Sequence, residues 1–210
     1  MKKLYLLTEL FALFILLPLV LLYFHIIKFF LPVLWVFSYI CYNYLKHDKD
    51  FDKKNLSRKE AVNTKNLLQI FMIFAVGAAL LGICTYYFEH GKWLSFPRTA
   101  PVLWAAIMIL YPLLSVYPQE IIYRAFFFHR YKRIFNSERI SLFASAAAFG
   151  FAHIIFSNYI AVTLSAVGGI LFGQNYRKNK SLALVSIEHA LYGCWIFTIG
   201  LGWYFFHGAR

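Results

Sequence analysis

Seven long apolar stretches divide this sequence, at about 4–24, 29–45, 67–88, 101–128, 140–156, 158–175 and 182–206. A helix needs about 20 such residues to cross a bilayer. Inside hydrocarbon every backbone N–H and C=O must find a partner within the protein, so repeated spans of this length fold as helices packed on helices. The expected fold is therefore all-α: a polytopic membrane helical bundle of about seven transmembrane helices, sited in the cell membrane as a multi-pass protein. Composition agrees, since 61% of the 210 residues are hydrophobic and 14% are charged. A soluble domain is closer to about 25% charged. No long soluble stretch remains for a second body.

Met1-Lys2-Lys3 before the first apolar run resembles the start of a secretory signal. The run is too long for one and no small-x-small cleavage site follows, so a retained first helix is expected.

The net charge of +12 would suggest nucleic acid in a soluble chain. Here the basic residues occupy short loops between apolar runs, which is the positive-inside pattern, and no nucleic-acid partner is expected. Sixteen of them fall on one side: Lys2 and Lys3, seven within 46–66, Arg130, Lys132, Arg133 and Arg139, and Arg177, Lys178 and Lys180. Lys28, Lys92, Arg98 and Arg210 fall on the other. This alternation predicts seven crossings with a cytoplasmic N-terminus. The 46–66 loop also carries Asp48, Asp50 and Asp52 and is expected to be a solvated connector, with lipid headgroups as a secondary contact.

Cys41, Cys84 and Cys194 each lie in an apolar run with no C-x-x-C spacing, so they are small buried side chains and not a disulfide or zinc framework. Pro112 and Pro118 are expected to kink the fourth span. Gly168, Gly169 and Gly173 give the sixth a small-residue face for close helix packing.

Against this apolar background the ionisable residues need a reason, because a charge at membrane depth costs about 2.5–3.5 kcal/mol on insertion scales. The candidates are Glu9, Glu120, Arg124, His153, Glu188 and His189. Glu120 and Arg124 are four apart and share a helix face. Such a pair either merely neutralises itself or aims a carboxylate beside a cation. His153 sits among Ala146, Ala147, Ala148, Gly150 and Ala152, small side chains that let a neighbouring helix or a substrate come close. His189 has Gly193 four residues on, which opens space beside its imidazole. Glu188 points about 100° away from His189 and is expected to pair with a basic or hydroxyl group on another helix. Glu9 near the start of the first span has no assigned role; near the interface it can snorkel.

Depth brings three of these groups together. At about 1.5 Å per residue, Glu120 lies roughly 12–14 Å from the cytoplasmic end of its helix, His189 roughly 12 Å and His153 roughly 20 Å. A carboxylate and two imidazoles from three helices can activate water as a general base and stabilise the resulting oxyanion. They can also ligate zinc.

The residues Gln119-Glu120-x-x-x-Arg124, Phe149-x-x-x-His153 and His189-x-x-x-Gly193 resemble, in order and spacing, the motifs of the CAAX prenyl protease and bacteriocin-processing (CPBP) intramembrane endopeptidases. The family pattern is Glu-Glu-x-x-x-Arg, then Phe-x-x-x-His, then His-x-x-x-Asn. The resemblance covers about 101–206, which makes that stretch the CPBP-like catalytic core and 1–100 the N-terminal spans with their basic cytoplasmic loop. It implies a glutamate-type peptidase in which water attacks a peptide bond of a membrane-associated or lipidated peptide or protein without a cofactor. Zinc held by Glu120, His153 and His189 is the minority alternative. It also implies Glu120 as base, His153 orienting the water, His189 as oxyanion donor, Arg124 pairing with Glu120, and Gln119 supplying a hydrogen bond. Two departures stand out. Gln119 replaces the first Glu, and a neutral amide accepts no proton, so Glu120 takes that role or activity is lost. Gly193 replaces the Asn, removing an amide that would polarise the scissile carbonyl. An inactive relative that binds a membrane partner, or a small proton-coupled transporter, are the alternative functions.

Overall fold

The computed structural model describes residues 2–25, 29–135 and 137–206. Among them are seven long helices: α1 (Lys3–Tyr23), α2 (Phe30–His47), α3 (Thr64–Phe88), α4 (Pro101–Arg130), α5 (Glu138–Phe156), α6 (Tyr159–Asn179) and α7 (Leu182–Ile199). The protein is a helical membrane bundle. Five of the seven, α1, α3, α4, α5 and α7, are long and apolar enough to cross a membrane. The other two end in polar turns, Asn43, Lys46 and His47 in α2 and Gln174, Asn175, Arg177 and Lys178 in α6, which lower their mean hydropathy. Exposed Leu, Ile, Val, Phe and Tyr side chains coat the outside, as expected of a surface solvated by lipid.

Helix ends follow local chemistry. Asn63, Ser137, Asn158 and Ser181 cap the starts of α3, α5, α6 and α7 with side-chain oxygens that accept backbone N–H bonds. The last apolar stretch, expected to run to 206, stops being α-helical at Ile199. Gly200 adopts φ 101°, a left-handed geometry that glycine tolerates, and a single 3₁₀ turn follows.

Arg130, Arg133 and Arg177, from the loop side rich in basic residues, find acidic partners at one end of the bundle. Arg130 holds Glu9 through two bonds of 2.8 and 2.6 Å, Tyr131 adds a third at 3.1 Å, and Arg130 also reaches the Tyr44 hydroxyl at 3.1 Å. Tyr44 and His129 both bond to Asp48, at 2.9 Å each. Arg133 faces Asp50 at 3.6 Å, Arg177 pairs with Glu138, and Ser181 Oγ donates to the Arg58 carbonyl at 2.9 Å. The 46–66 connector is thus pinned to the loops after α4 and α6. At the opposite end Lys92 pairs with Glu89 and donates to Tyr204 at 3.1 Å. Lys28 and Arg210 lie outside the described residues.

Two features of this frame position the site. First, α5 and α6 pack closely through small residues. A Cβ on Gly169 would lie 2.9 Å from the Ala146 Cα, and one on Gly150 would lie 2.7 Å from the Ala166 Cβ. Second, α4 is irregular. Pro112 opens a π turn (Pro112–Val116), and a second (Ile121–Phe126) begins immediately after Glu120. Proline lacks the amide that would bond four residues back. The carbonyls concerned are engaged by neighbouring helices: Met108 O by Cys194 Sγ at 3.8 Å, and Leu114 O by Trp35 Nε1 at 3.0 Å. The half of α4 from Pro118 to Phe127 is wholly buried, while Val102, Leu103, Ile109 and Leu110 in the other half face outward.

Candidate active site

Glu120 is completely buried in α4, on the short α-helical segment between the two π turns. Its Oε1 accepts a hydrogen bond from His189 Nδ1 of α7 at 2.8 Å. Its Oε2 lies 3.2 Å from Arg124 Nε, close enough for an ion pair but off the line of the N–H bond. The wide turn after Glu120 explains the misalignment, since π winding moves residue i+4 away from its usual place above residue i.

Arg124 is also fully buried. One terminal nitrogen donates to Ser145 Oγ of α5 at 3.0 Å and to its own chain at Tyr123 O at 3.3 Å, and Ser145 Oγ donates in turn to Tyr123 O at 2.6 Å. The guanidinium lies 4.9 Å from the Phe149 ring centroid, a cation–π contact in a water-poor setting. The arginine therefore braces Glu120 against α5.

His189 is 5% exposed and enclosed on its faces. Phe172 of α6 stacks on it at 4.5 Å with an interplanar angle of 18°, and Phe149 meets it edge-on at 5.5 Å. A carboxylate oxygen can only accept, so Nδ1 carries the hydrogen and Nε2 is the bare nitrogen. The Tyr111 hydroxyl, 3.2 Å away, then donates to Nε2. Glu120, His189 and Tyr111 thus form a carboxylate–imidazole–phenol chain across α4 and α7.

Tyr111 was not among the residues singled out from the sequence. Its position is set by Gly193: a Cβ there would overlap the tyrosine ring, so the space beside the imidazole is occupied by a phenol from α4. Phe197 packs edge-on against the same ring at 5.3 Å. The signal available in the sequence was the glycine itself, four residues after His189, but nothing in a one-dimensional pattern names the side chain that fills it from another helix.

His153 ends the α-helical part of α5 and turns its Nδ1 to the Phe149 carbonyl at 2.8 Å. It has no hydrogen bond to Glu120 or His189 among the described residues. The Phe149 ring touches both imidazoles, at 4.9 Å from His153 and 5.5 Å from His189. Gln119 is buried and donates to Ser115 Oγ at 2.7 Å. Glu188 points away from His189, as helical spacing requires, and accepts from Asn175 Nδ2 of α6 at 2.8 Å, so its partner is an amide where a cation or hydroxyl was expected.

Glu120, His153 and His189 are not gathered into one cluster of three. Among the described residues no cluster of three His, Cys, Asp or Glu side chains is placed to hold an ion. His189 uses both nitrogens within the protein, and His153 is engaged elsewhere.

Buried polar atoms without a hydrogen-bond partner among the described residues concentrate here: Gln119 Oε1, Glu120 Oε2, and Arg124 Nε and Nη2. Native proteins satisfy nearly all such atoms, so a group of them marks a place where a further polar partner fits. A cleft of about 430 Å³ opens between α3, α4 and α7. Its walls include Met108 and Pro112 of α4 and Ala190 and Cys194 of α7, while Tyr111, His189 and Gly193 do not line it.

With this geometry in view, comparison with known proteins gives one result. A family model described as type II CAAX prenyl endopeptidase Rce1-like matches residues 100–205. No curated protein and no solved structure matches the chain. The matched stretch is half of the chain and contains Tyr111, Gln119, Glu120, Arg124, His153 and His189. The chain belongs to the Rce1-like family of type II CAAX prenyl endopeptidases, membrane-embedded proteases by kind.

Proposed function

We propose that this chain is an endopeptidase of the cell membrane that hydrolyses a peptide bond in a membrane-associated or lipidated peptide or protein, with Glu120 as the base. The observation that carries the reading is the buried hydrogen bond between Glu120 Oε1 and His189 Nδ1, 2.8 Å long, with Arg124 3.2 Å from the other carboxylate oxygen. A carboxylate confined between an imidazole and a guanidinium, away from bulk water, is a positioned proton acceptor. General-base catalysis of this kind contributes about 10²–10⁴-fold in rate.

In this reaction the water oxygen attacks the scissile carbonyl carbon while Glu120 Oε2, the oxygen free of hydrogen bonds, takes one proton from the water. The carbonyl π pair moves onto oxygen. When the tetrahedral species collapses, the C–N bond breaks and the proton held by Glu120 goes to the departing amine. His189 holds the carboxylate in place and shares its charge. Arg124 fixes Glu120 from the other side. His153, whose Nδ1 is tied to the Phe149 carbonyl, presents Nε2 to orient the water, and Gln119 contributes a hydrogen bond.

The test compares membrane proteomes from cells carrying the wild type and the Glu120→Ala variant, scoring new protein termini. Termini that depend on Glu120 support hydrolysis; identical sets of termini, with both proteins present in membranes, overturn it.

One observation favours a second reading. Gln119 stands where the family pattern has its first Glu, and its amide is tied to Ser115. An inactive relative that binds a membrane partner would keep that partner in the Glu120→Ala variant and yield no termini in either strain.

A further inference from the structure

We propose that Tyr111 is a catalytic residue: its hydroxyl is the donor to the oxyanion that forms during cleavage, a duty that the family pattern gives to side chains at positions 189 and 193. This inference rests on the peptidase reading above and names a residue that reading does not use.

Three observations carry it. First, position 193 has no side chain, and the room beside His189 is filled by the Tyr111 ring from α4. Second, His189 has no donor left for a substrate. Nδ1–H is committed to Glu120 at 2.8 Å, Nε2 is bare and accepts from Tyr111 at 3.2 Å, and Phe172 and Phe149 cover the ring. Third, Tyr111 is the half-buried member of the chain, whereas Glu120 and His189 are buried. Its neighbours Met108 and Pro112 line the cleft between α3, α4 and α7.

A phenol is suited to the task. It has one O–H that turns about the C–O bond without movement of the ring. At rest that hydrogen points to His189 Nε2. As water adds to the carbonyl carbon and the π pair moves to oxygen, the hydrogen turns to the developing oxyanion. No bond to Tyr111 forms and no proton is lost from it. The water's proton passes to Glu120 and then to the leaving amine, so atoms and charge balance without a further reactant. The π turn that begins at Pro112 fixes the angle at which Tyr111 crosses to α7.

Tyr111→Phe isolates the hydroxyl, because the ring still fills the space over Gly193 and packs on Phe197. The control is Trp104→Phe, which removes a different hydrogen bond between the same two helices, Trp104 Nε1 to Thr198 Oγ1 at 3.1 Å. Both variants and the wild type are purified in detergent and assayed on a peptide reproducing a cleavage site found from the termini comparison. Loss of one oxyanion donor lowers kcat by about 10²–10³-fold. The expected result is a fall of that size for Tyr111→Phe with KM unchanged and wild-type kcat for Trp104→Phe. A Tyr111→Phe enzyme with wild-type kcat overturns the role of Tyr111 while leaving the peptidase reading intact. An equal loss in both variants also overturns it, since that marks a packing effect. If the wild type itself generates no termini, the peptidase reading fails and this inference with it.

Discussion

Glu120 of α4 and His189 of α7 are joined by a 2.8 Å hydrogen bond in a place where neither side chain is open to solvent. That bond ties together the two helices that carry most of the site. It also fixes the tautomer of the imidazole, and through it the orientation of Tyr111.

The ion pair behind this bond should separate stability from activity. Arg124 is buried beside Glu120, so Arg124→Ala leaves a carboxylate without its cation and is expected to destabilise the protein by about 3–5 kcal/mol. The double change Glu120→Met with Arg124→Met removes both charges and should recover most of that stability while abolishing cleavage. Thermal unfolding in detergent, read beside the termini assay, checks both halves.

Close packing of α5 on α6 sets the position of Phe149, which touches both imidazoles. Gly169→Leu places bulk where a Cβ alone would lie 2.9 Å from the Ala146 backbone. Overpacking of this kind costs about 1–3 kcal/mol, and more where backbone must move. The variant should unfold at lower temperature and lose cleavage. Gly91→Leu, at a position with open space around it, should match the wild type in both measurements.

At the basic end of the bundle, the hydrogen bond from His129 and that from the Asp50 backbone N–H hold the Asp48 carboxyl well below the usual carboxylate range. A carboxyl lowered in the folded state adds stability that is fully present above its ordinary value of about 3.9 and is lost as pH falls below it. Melting temperature should therefore decline on acidification below about pH 4, and Asp48→Asn should show a shallower decline. A series of thermal melts from neutral to acidic pH reads the difference.

Glu9 links α1 to the end of α4 by a two-pronged contact with Arg130. Glu9→Ala should cost about 1.5–3 kcal/mol, the usual range for hydrogen bonds to charged partners, without changing the chemistry at Glu120. Unfolding temperature should fall while kcat stays at the wild-type value.

Much of this architecture was readable from the chain, because hydropathy alone marks spans and loop charge groups the loops. Glu120 with Arg124 was readable too, since a four-residue spacing places both on one face whatever surrounds them. What could not be read were partners across helices. Glu9 gave no hint of Arg130, 121 residues away. Glu188 finds Asn175, an amide indistinguishable in sequence from any other polar residue near a helix end. His153, expected to meet Glu120 and His189 directly, shares with His189 a contact on Phe149, because the end of α5 turns its Nδ1 back to its own carbonyl. Tyr111 was hidden among 15 tyrosines in a chain rich in aromatic residues. Its role emerges only where the absent side chain of Gly193 meets its ring.

The central claim is that Glu120 activates water for peptide hydrolysis. Membranes containing the wild type or Glu120→Ala, incubated in ¹⁸O-enriched water, test it directly by mass spectrometry of newly formed C-termini. The account predicts C-terminal carboxylates bearing one ¹⁸O atom in wild-type membranes and their absence in the variant. The same labelled termini in both preparations, or none in either, would contradict it.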